Sequence, residues 1–551
     1  MNLLQSATRF WRGLDRPGAV RTAMWLLPVL FGVLSLVYGQ DDNWDLRNYH
    51  YYNPYALLNG KVGYDLAPAQ WQSYFNPTLD LLYYGLLTTL PAQLTGFIMG
   101  ALHGLNFVLV LALARRLLPA GAHRAALLLA LAGMVAPGFL SELGNSMGDN
   151  LTSLCVLGAL WLVLRTWPAL CGGRGLMATL LAGVLMGAGC GLKMTNVSYA
   201  VALCLALLLA LAGGWWLRFR AAFVFGVGVL AGLALSAGHW YWRMWSVFGN
   251  PLFPQFNQLF QAPLAKPIGI GDTGWQPQGL VERLLWPFIM SFDARRVIEI
   301  RLLQVIWPLL YLAFVALALY GLRAWWRKRP LLDHGSSDSC QTSFVLTFFV
   351  LAYLCWMNVF GIYRYLVPIE LLAPLMWWLV LHRLLPVARA RAVGSAGLVL
   401  AVGVVLAVPP GGWGHGHWRK QAIWVDVPKL AAPAEDLVMT VKGDPPMGWL
   451  VPAFPRQLAF VALGSGFPES AAYAQRLYGM IAARKGTLYV MMDGGSGTPE
   501  RQAEIEAWGN MILARYDMAI QPDSCRRYGA RIGSNEHSYQ LCMVQRPAAL
   551  R

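Results

Sequence analysis

Apolar stretches long enough to cross a hydrocarbon core recur along the first three quarters of the chain, and no other feature constrains its fold as strongly. A spanning helix needs about 20 predominantly apolar residues. Runs of that kind fall near 22–39, 93–117, 124–141, 151–167, 176–192, 195–217, 221–238, 302–322, 343–361, 365–382 and 392–409. Composition agrees, since 57% of the 551 residues are hydrophobic and only 13% are charged, where soluble domains carry roughly 25%. The expected fold is mainly α, a polytopic membrane protein with about 11 transmembrane helices over 1–410. It has external loops at 40–92 and 239–301, and 411–551 forms a small C-terminal α/β external domain.

Orientation follows from the basic residues, because Lys and Arg beside short loops resist translocation. Arg9, Arg12, Arg16 and Arg21 precede the first run. Arg115, Arg116, Arg124, Arg165, Arg174, Arg218, Arg220, Arg323, Arg327, Lys328, Arg329, Arg383, Arg389 and Arg391 fall in loops on that same side. The opposite short loops hold few: Arg47, Lys61, Lys193 and Arg364. The N-terminus is therefore expected in the cytoplasm and the tail outside. The net charge of +16 follows from this asymmetry, so no nucleic-acid partner is expected. No small-residue cleavage site follows the first apolar run, which reads as a retained helix rather than a signal peptide.

Aromatic pairs Trp215/Trp216, Trp325/Trp326 and Trp377/Trp378, with Trp240, Trp242 and Trp245, fall near expected helix ends and read as interfacial anchors. Cys155, Cys171, Cys190, Cys204, Cys340 and Cys355 lie in or inside the membrane, whereas Cys525 and Cys542 share the external tail. An oxidising compartment permits those two to pair; spacing alone leaves open whether they do.

Three regions lie outside the bilayer. The first loop carries an amphipathic helix around 49–58 and a second apolar run, 79–90, too short to span and so expected to lie along the interface. The loop 239–301 contains Pro251, Pro254, Pro267 and Gly271-Asp272-Thr273-Gly274 and reads as irregular backbone. In the tail, 457–463 and 487–493 read as strands, and 469–484 and 499–515 as helices, a pattern of crossover units. It holds no GxGxxG, Walker or HExxH motif, so a supporting or acceptor-docking role is expected of it.

Ionisable residues from distant segments converge on the outer face: Asp41, Asp42 and Asp45, then Glu142 and Asp149, Lys193, Arg243 and Arg364. Singly, each reads as a solvated loop residue. Together, at a depth where charge is costly unless paired or functional, they mark a candidate site. A carboxylate base with two or three cations suits transfer of a group from a phosphate-linked donor. The base takes the proton of the attacking hydroxyl, and Arg and Lys neutralise charge on the departing phosphate.

The order of these features resembles the GT-C superfamily of membrane glycosyltransferases, which use polyprenyl-phosphate-linked sugars and include the protein mannosyltransferase and lipid A aminoarabinose transferase groups. The stretch from Asp45 to Gly60 matches that family's first-loop Asp followed by an amphipathic helix and a small-residue turn. Asn76 to Tyr84 resembles its Pro-Pro-Leu-Tyr-Tyr element, without the usual preceding Lys. Gly144 to Asn150 resembles the second acidic loop, Gly191 to Asn196 the Thr-Lys-Gly element, and Tyr363 to Pro368 the Arg-Tyr-x-x-Pro element.

The resemblance implies an inverting sugar transfer at the outer face of the cytoplasmic membrane. Asp45 and Asp149 would be the catalytic carboxylates, with Lys193, Arg364, Arg243, Tyr365, Asp42 and Asn76 binding substrate or phosphate. The implied partners are a polyprenyl-phosphate sugar donor, a glycan, lipid or protein acceptor, and membrane lipids. A divalent metal is left open, because no Asp-x-Asp pair demands one. The competing readings are a transporter or lipid-linked-sugar flippase, which should show broken helices or charges at mid-membrane, and a noncatalytic scaffold, which has no need of the acidic loop.

Overall fold

Pro17 opens the first long helix, α1 (Pro17–Tyr38), where its missing N–H is no loss, and Gly39 closes it at φ 102°. In the computed structural model, which describes residues 11–327, 338–495 and 498–547, a helix follows at each of the other apolar runs. These are α2 (Ala92–Leu117), α3 (His123–Met134), α4 (Asp149–Arg165), α5 (Leu176–Leu192), α6 (Val197–Ala210), α7 (Trp215–Phe248), α8 (Ile306–Trp326), α9 (Ser339–Val359), α10 (Ala373–Leu384) and α11 (Val387–Ala407). Arg9, Lys328 and Arg329 of the charge argument lie outside the described residues.

Six of these helices, α1, α2, α7, α8, α9 and α11, are long and apolar enough to cross a membrane. A seventh candidate joins Tyr363–Glu370 to α10 through a 55° bend. The remaining four are shorter than the about 20 residues a span needs, at 12 (α3), 17 (α4), 17 (α5) and 14 (α6) residues; α4 and α5 match their apolar runs in length, whereas α3 and α6 fall short of theirs. Local breaks explain the two shortfalls: Ala136-Pro137 interrupts the run 124–141, and the backbone leaves the helix after Ala210, with Leu211 extended, so the run 195–217 ends early. Trp25 and Val37 on α1, Leu230 and Leu235 on α7 and Val399 on α11 turn large apolar side chains outward. A surface this apolar suits lipid rather than water, and the chain is membrane-embedded.

Close helix packing rests on small residues. Gly183, Gly187 and Gly191 recur every fourth residue along α5 and face Gly228, Gly232 and Ser236 of α7, where a Cβ on Gly187 or Gly232 would run into the facing carbonyl. This crossing fixes the end of α5, immediately before Lys193. Trp215, Trp216, Trp325 and Trp326 are exposed at helix ends, whereas Trp240, expected as an anchor, is buried and packs instead. Trp377 differs too: it is buried against Gly397 and donates its indole N–H to the Gly394 carbonyl at 3.1 Å, so it serves α10–α11 packing.

The loop expected from residue 239 starts later, because α7 continues to Phe248. Its extra turns are held by Trp240, Met244 and Phe248, buried together with Tyr74 and residues of the C-terminal sheet, and Trp240 Nε1 donates to the Tyr74 carbonyl at 2.9 Å. A further helix, Gly279–Phe292, lies in the same region.

The tail is an α/β unit. Its strands follow β1 (Gln40–Asp41) of the first loop as β2 (His415–Gly416), β3 (Ile423–Val425), β4 (Leu437–Val441), β5 (Ala459–Leu463), β6 (Leu488–Asp493), β7 (Ala519–Ile520), β8 (Arg526–Tyr528), β9 (Ala530–Ile532), β10 (Asn535–Glu536) and β11 (Tyr539–Gln545). Helices α12 (Ala471–Ala482) and α13 (Pro499–Leu513) connect them. The main sheet runs β5-β4-β6-β11-β7, with β8 also on β11. Strands β5, β4 and β6 are parallel, and β11 is antiparallel to β6. Cys525 and Cys542 form a disulfide, while the other six cysteines are free.

The first loop clasps this unit. β1 pairs with β2, and the Leu66 N–H and C=O bond Phe460 and Ala462 at 2.8 and 2.9 Å, covering the exposed edge of β5. Within the clasp Lys61 and Asp65 form a buried ion pair at 3.0 Å. The short helices Tyr52–Leu58 and Asp80–Thr89 occupy the two places where juxtamembrane helices were expected.

Candidate active site

Asp45 sits at the head of a π-helical turn, Leu46–His50, a form that recurs at functional sites. The turn is started by Asn43, whose Oδ1 accepts the Leu46 N–H at 2.7 Å. Asn43 also donates to Asp41 Oδ1 at 2.7 Å and to Ser146 Oγ at 3.0 Å, while the Ser146 N–H donates to Asp41 Oδ2 at 2.8 Å. The first loop is thereby stitched to the 144–150 segment, which carries Asp149.

Two ion pairs meet there. Arg364 Nη1 donates to Asp45 Oδ2 at 2.8 Å, and Lys193 Nζ donates to Asp149 Oδ2 at 2.5 Å and to the Met147 carbonyl at 2.6 Å. Tyr365 joins them: its ring centroid lies 5.3 Å from the Arg364 guanidinium and 5.4 Å from the Lys193 ammonium. Trp413, on the strap leading into the C-terminal unit, approaches the same guanidinium at 5.5 Å. Tyr199 donates its hydroxyl to the Tyr365 carbonyl and fixes that turn. Asp45, Asp149, Lys193, Arg364 and Tyr365 thus converge from four separate segments. The Asp45 and Arg364 side chains remain 13% and 15% exposed, open enough to meet a ligand.

Burial pushes the Asp45 carboxyl up, but the Arg364 guanidinium, with further help from the neighbouring His50 and Lys193, outweighs it and holds the group below its ordinary value. Glu142 behaves in the opposite way. Its side chain is fully buried, both oxygens lack a donor, and it lies within hydrogen-bonding reach of Asp149. Burial, reinforced by the Asp149 charge, raises it well above the usual carboxylate range despite Lys193 and Arg364.

The other candidates stand elsewhere. Asp42 accepts from Asn535 Nδ2 at 2.7 Å and bonds His537 Nε2 at 2.9 Å, with Arg47 3.6 Å away, so it fastens the first loop to the C-terminal unit. Asn76 donates to the Gly191 and Ser236 carbonyls at 2.8 and 3.1 Å, clamping α5 to α7 just below Lys193. The Arg243 guanidinium has no hydrogen bond or ion pair among the described residues. No three His, Cys, Asp or Glu side chains gather to hold a metal ion among the described residues.

Sequence reasoning missed one pair beside Asp45: His50 Nδ1 meets Asp80 Oδ1 at 2.7 Å, both buried. Burial raises the Asp80 carboxyl against the pull of His50. The signal was His50 lying one helical turn beyond Asp45 in an otherwise aromatic stretch. Comparison with family models and with curated proteins finds no match for this chain.

Proposed function

We propose that the chain is a membrane glycosyltransferase that moves a sugar from a polyprenyl-phosphate donor to an acceptor hydroxyl. The observation that carries this reading is the pairing of Asp45 with Arg364 beside Asp149 with Lys193. Each carboxylate holds a cation in reserve. An incoming lipid phosphate competes for Arg364 and Lys193, whose five and three donors suit phosphate oxygens. Asp45, still buried but stripped of its partner, then gains proton affinity and becomes a base. It takes the acceptor proton as the acceptor oxygen bonds the anomeric carbon; the bond from that carbon to the phosphate oxygen breaks, and the cations neutralise the departing phosphate. One displacement of this kind inverts the anomeric centre. Tyr365 keeps both cations on one face, and Asp149 orients Lys193.

The reading places the protein in the cytoplasmic membrane with about eleven passes, N-terminus inside and C-terminal unit outside. The basic residues flanking the spans support that orientation, and the Cys525–Cys542 disulfide supports an oxidising compartment for the tail. α3 to α6 count as passes if they cross within the protein interior, where short helices find partners for their ends.

One observation favours the transporter or flippase reading: the 55° break between Glu370 and Ala373, with Glu370 buried and accepting from Tyr363 at 2.5 Å. Purified protein incubated with radiolabelled polyprenyl-phosphate sugar and a panel of glycan, lipid and peptide acceptors separates the two. Label appearing on an acceptor in detergent, where no transport is possible, supports transfer. Movement of the intact donor across a vesicle membrane without such product supports the alternative.

A further inference from the structure

The C-terminal sheet has its own cleft, built from residues that the reaction centre does not use. β4 leads to β5 on one side, while β6 leads through α13 to β7 on the other, so the chain diverges between the neighbouring parallel strands β4 and β6. Connections that part in this way leave a crevice beyond the carboxyl ends of the strands, where open α/β sheets bind their ligands. Here that crevice holds a cavity of about 150 Å³ above an apolar floor that includes Met492 and Ile505.

The rim has the chemistry of a carbohydrate site. Trp508 lines it with an indole that is 46% exposed, a flat face suited to the C–H face of a sugar ring, with the Lys442 ammonium 5.5 Å from its centroid. Asp444 and Asp493 offer carboxylate oxygens to hydroxyl donors, and Arg501 is paired with Glu504 at 2.5 Å. Three carboxylates against two cations disfavour a phosphate or nucleotide. Lys442 holds φ at 61°, a left-handed conformation that side chains resist, and strained residues of this kind cluster at ligand sites.

The cleft is also mechanically joined to the reaction loop. Trp44, the residue before Asp45, donates its indole N–H to Asp444 Oδ1 at 3.1 Å, and Gln70 Nε2 donates to the Gly443 carbonyl at 2.7 Å.

We propose that this cleft binds a neutral saccharide, stacked on Trp508 and hydrogen-bonded by Asp444 and Asp493. Its role as the acceptor's sugar end rests on the transferase reading; binding itself does not.

Saturation-transfer NMR on the full-length protein in detergent, with soluble gluco-, manno-, galacto- and N-acetylglucosamine trisaccharides as probes, tests it. At least one should bind wild type, with affinity falling about tenfold or more in Trp508→Ala and recovering in Trp508→Phe, at an unchanged melting temperature. Asp493→Asn, at a polar position of the rim, should weaken the same probe. No binding to wild type by any probe, or equal binding in Trp508→Ala and Asp493→Asn, overturns the proposal. Saccharide binding without sugar transfer would remove the acceptor role and leave the cleft; transfer with no saccharide in the cleft would overturn the cleft and leave the transferase reading.

Discussion

The Arg364 guanidinium donates to the Asp45 carboxylate at 2.8 Å across 319 positions of sequence. Neither residue is solvated like a loop residue, and neither is sealed away. A buried pair of this kind contributes little net stability against an apolar replacement, because desolvation offsets attraction. On the proposed transferase reading, the pair is kept because it can exchange partners when a lipid phosphate arrives.

Asp45 is held below its ordinary carboxylate value of 3.8. A group whose folded value is depressed stabilises the fold above its unfolded value, and that contribution is lost as pH falls through the folded one. Wild type should therefore melt higher than Asp45→Asn from neutral pH down to about pH 4, and the gap should close below it. Thermal melts across that range check this; a gap that widens on acidification contradicts it.

Glu142 is displaced the other way, raised by burial and by Asp149. A raised acid favours the fold while protonated, and this contribution is lost as pH rises through the folded value. Glu142→Gln, which matches the protonated shape, should keep the fold and abolish the alkaline part of the stability loss. Parallel melting curves for wild type and variant would show that Glu142 is ionised at rest.

Asp42 ties the first loop to His537 and Asn535. Asp42→Ala leaves those donors and Arg47 without their acceptor and should cost about 1–3 kcal/mol. The loss should appear as faster proteolysis of the strap between α11 and β2, with the membrane helices intact. Unchanged cleavage would mean that the β1–β2 pairing and the Leu66 bonds hold the unit by themselves.

These residues show which parts of the site the sequence exposes. Asp45, Asp149, Lys193 and Arg364 were legible because charged residues at helix ends on one face are rare in so apolar a chain, and their types suit one chemistry. The fastening role of Asp42 was not legible, since its partner His537 lies 495 positions away and no local pattern points to it. Glu142 looked like a loop carboxylate because sequence carries no record of burial. The helices were found by their apolar runs, and α4 and α5 match those runs in length, yet α3 and α6 came out shorter, since run length does not register the break at Pro137 or the turn after Ala210. Trp377 was misjudged for a related reason: a tryptophan near a helix end anchors to an interface only if no glycine on the next helix offers it a socket.

The Cys525–Cys542 bridge closes a loop of 17 residues, for which chain entropy gives about 3 kcal/mol of stabilisation. Cys525→Ser, or reduction of the wild type, should lower the melting temperature of the C-terminal unit to the same extent. Unequal effects would indicate that the serine disturbs packing around Cys542, which is fully buried in β11.

The most direct test measures sugar transfer from radiolabelled polyprenyl-phosphate donors by wild type and by Asp45→Asn, with melting temperature followed in parallel. The amide keeps the shape and can still contact Arg364, but it cannot take a proton. The account predicts a folded variant whose transfer falls about 10²- to 10⁴-fold, the usual contribution of a positioned base. Transfer at the wild-type rate by folded Asp45→Asn would contradict it.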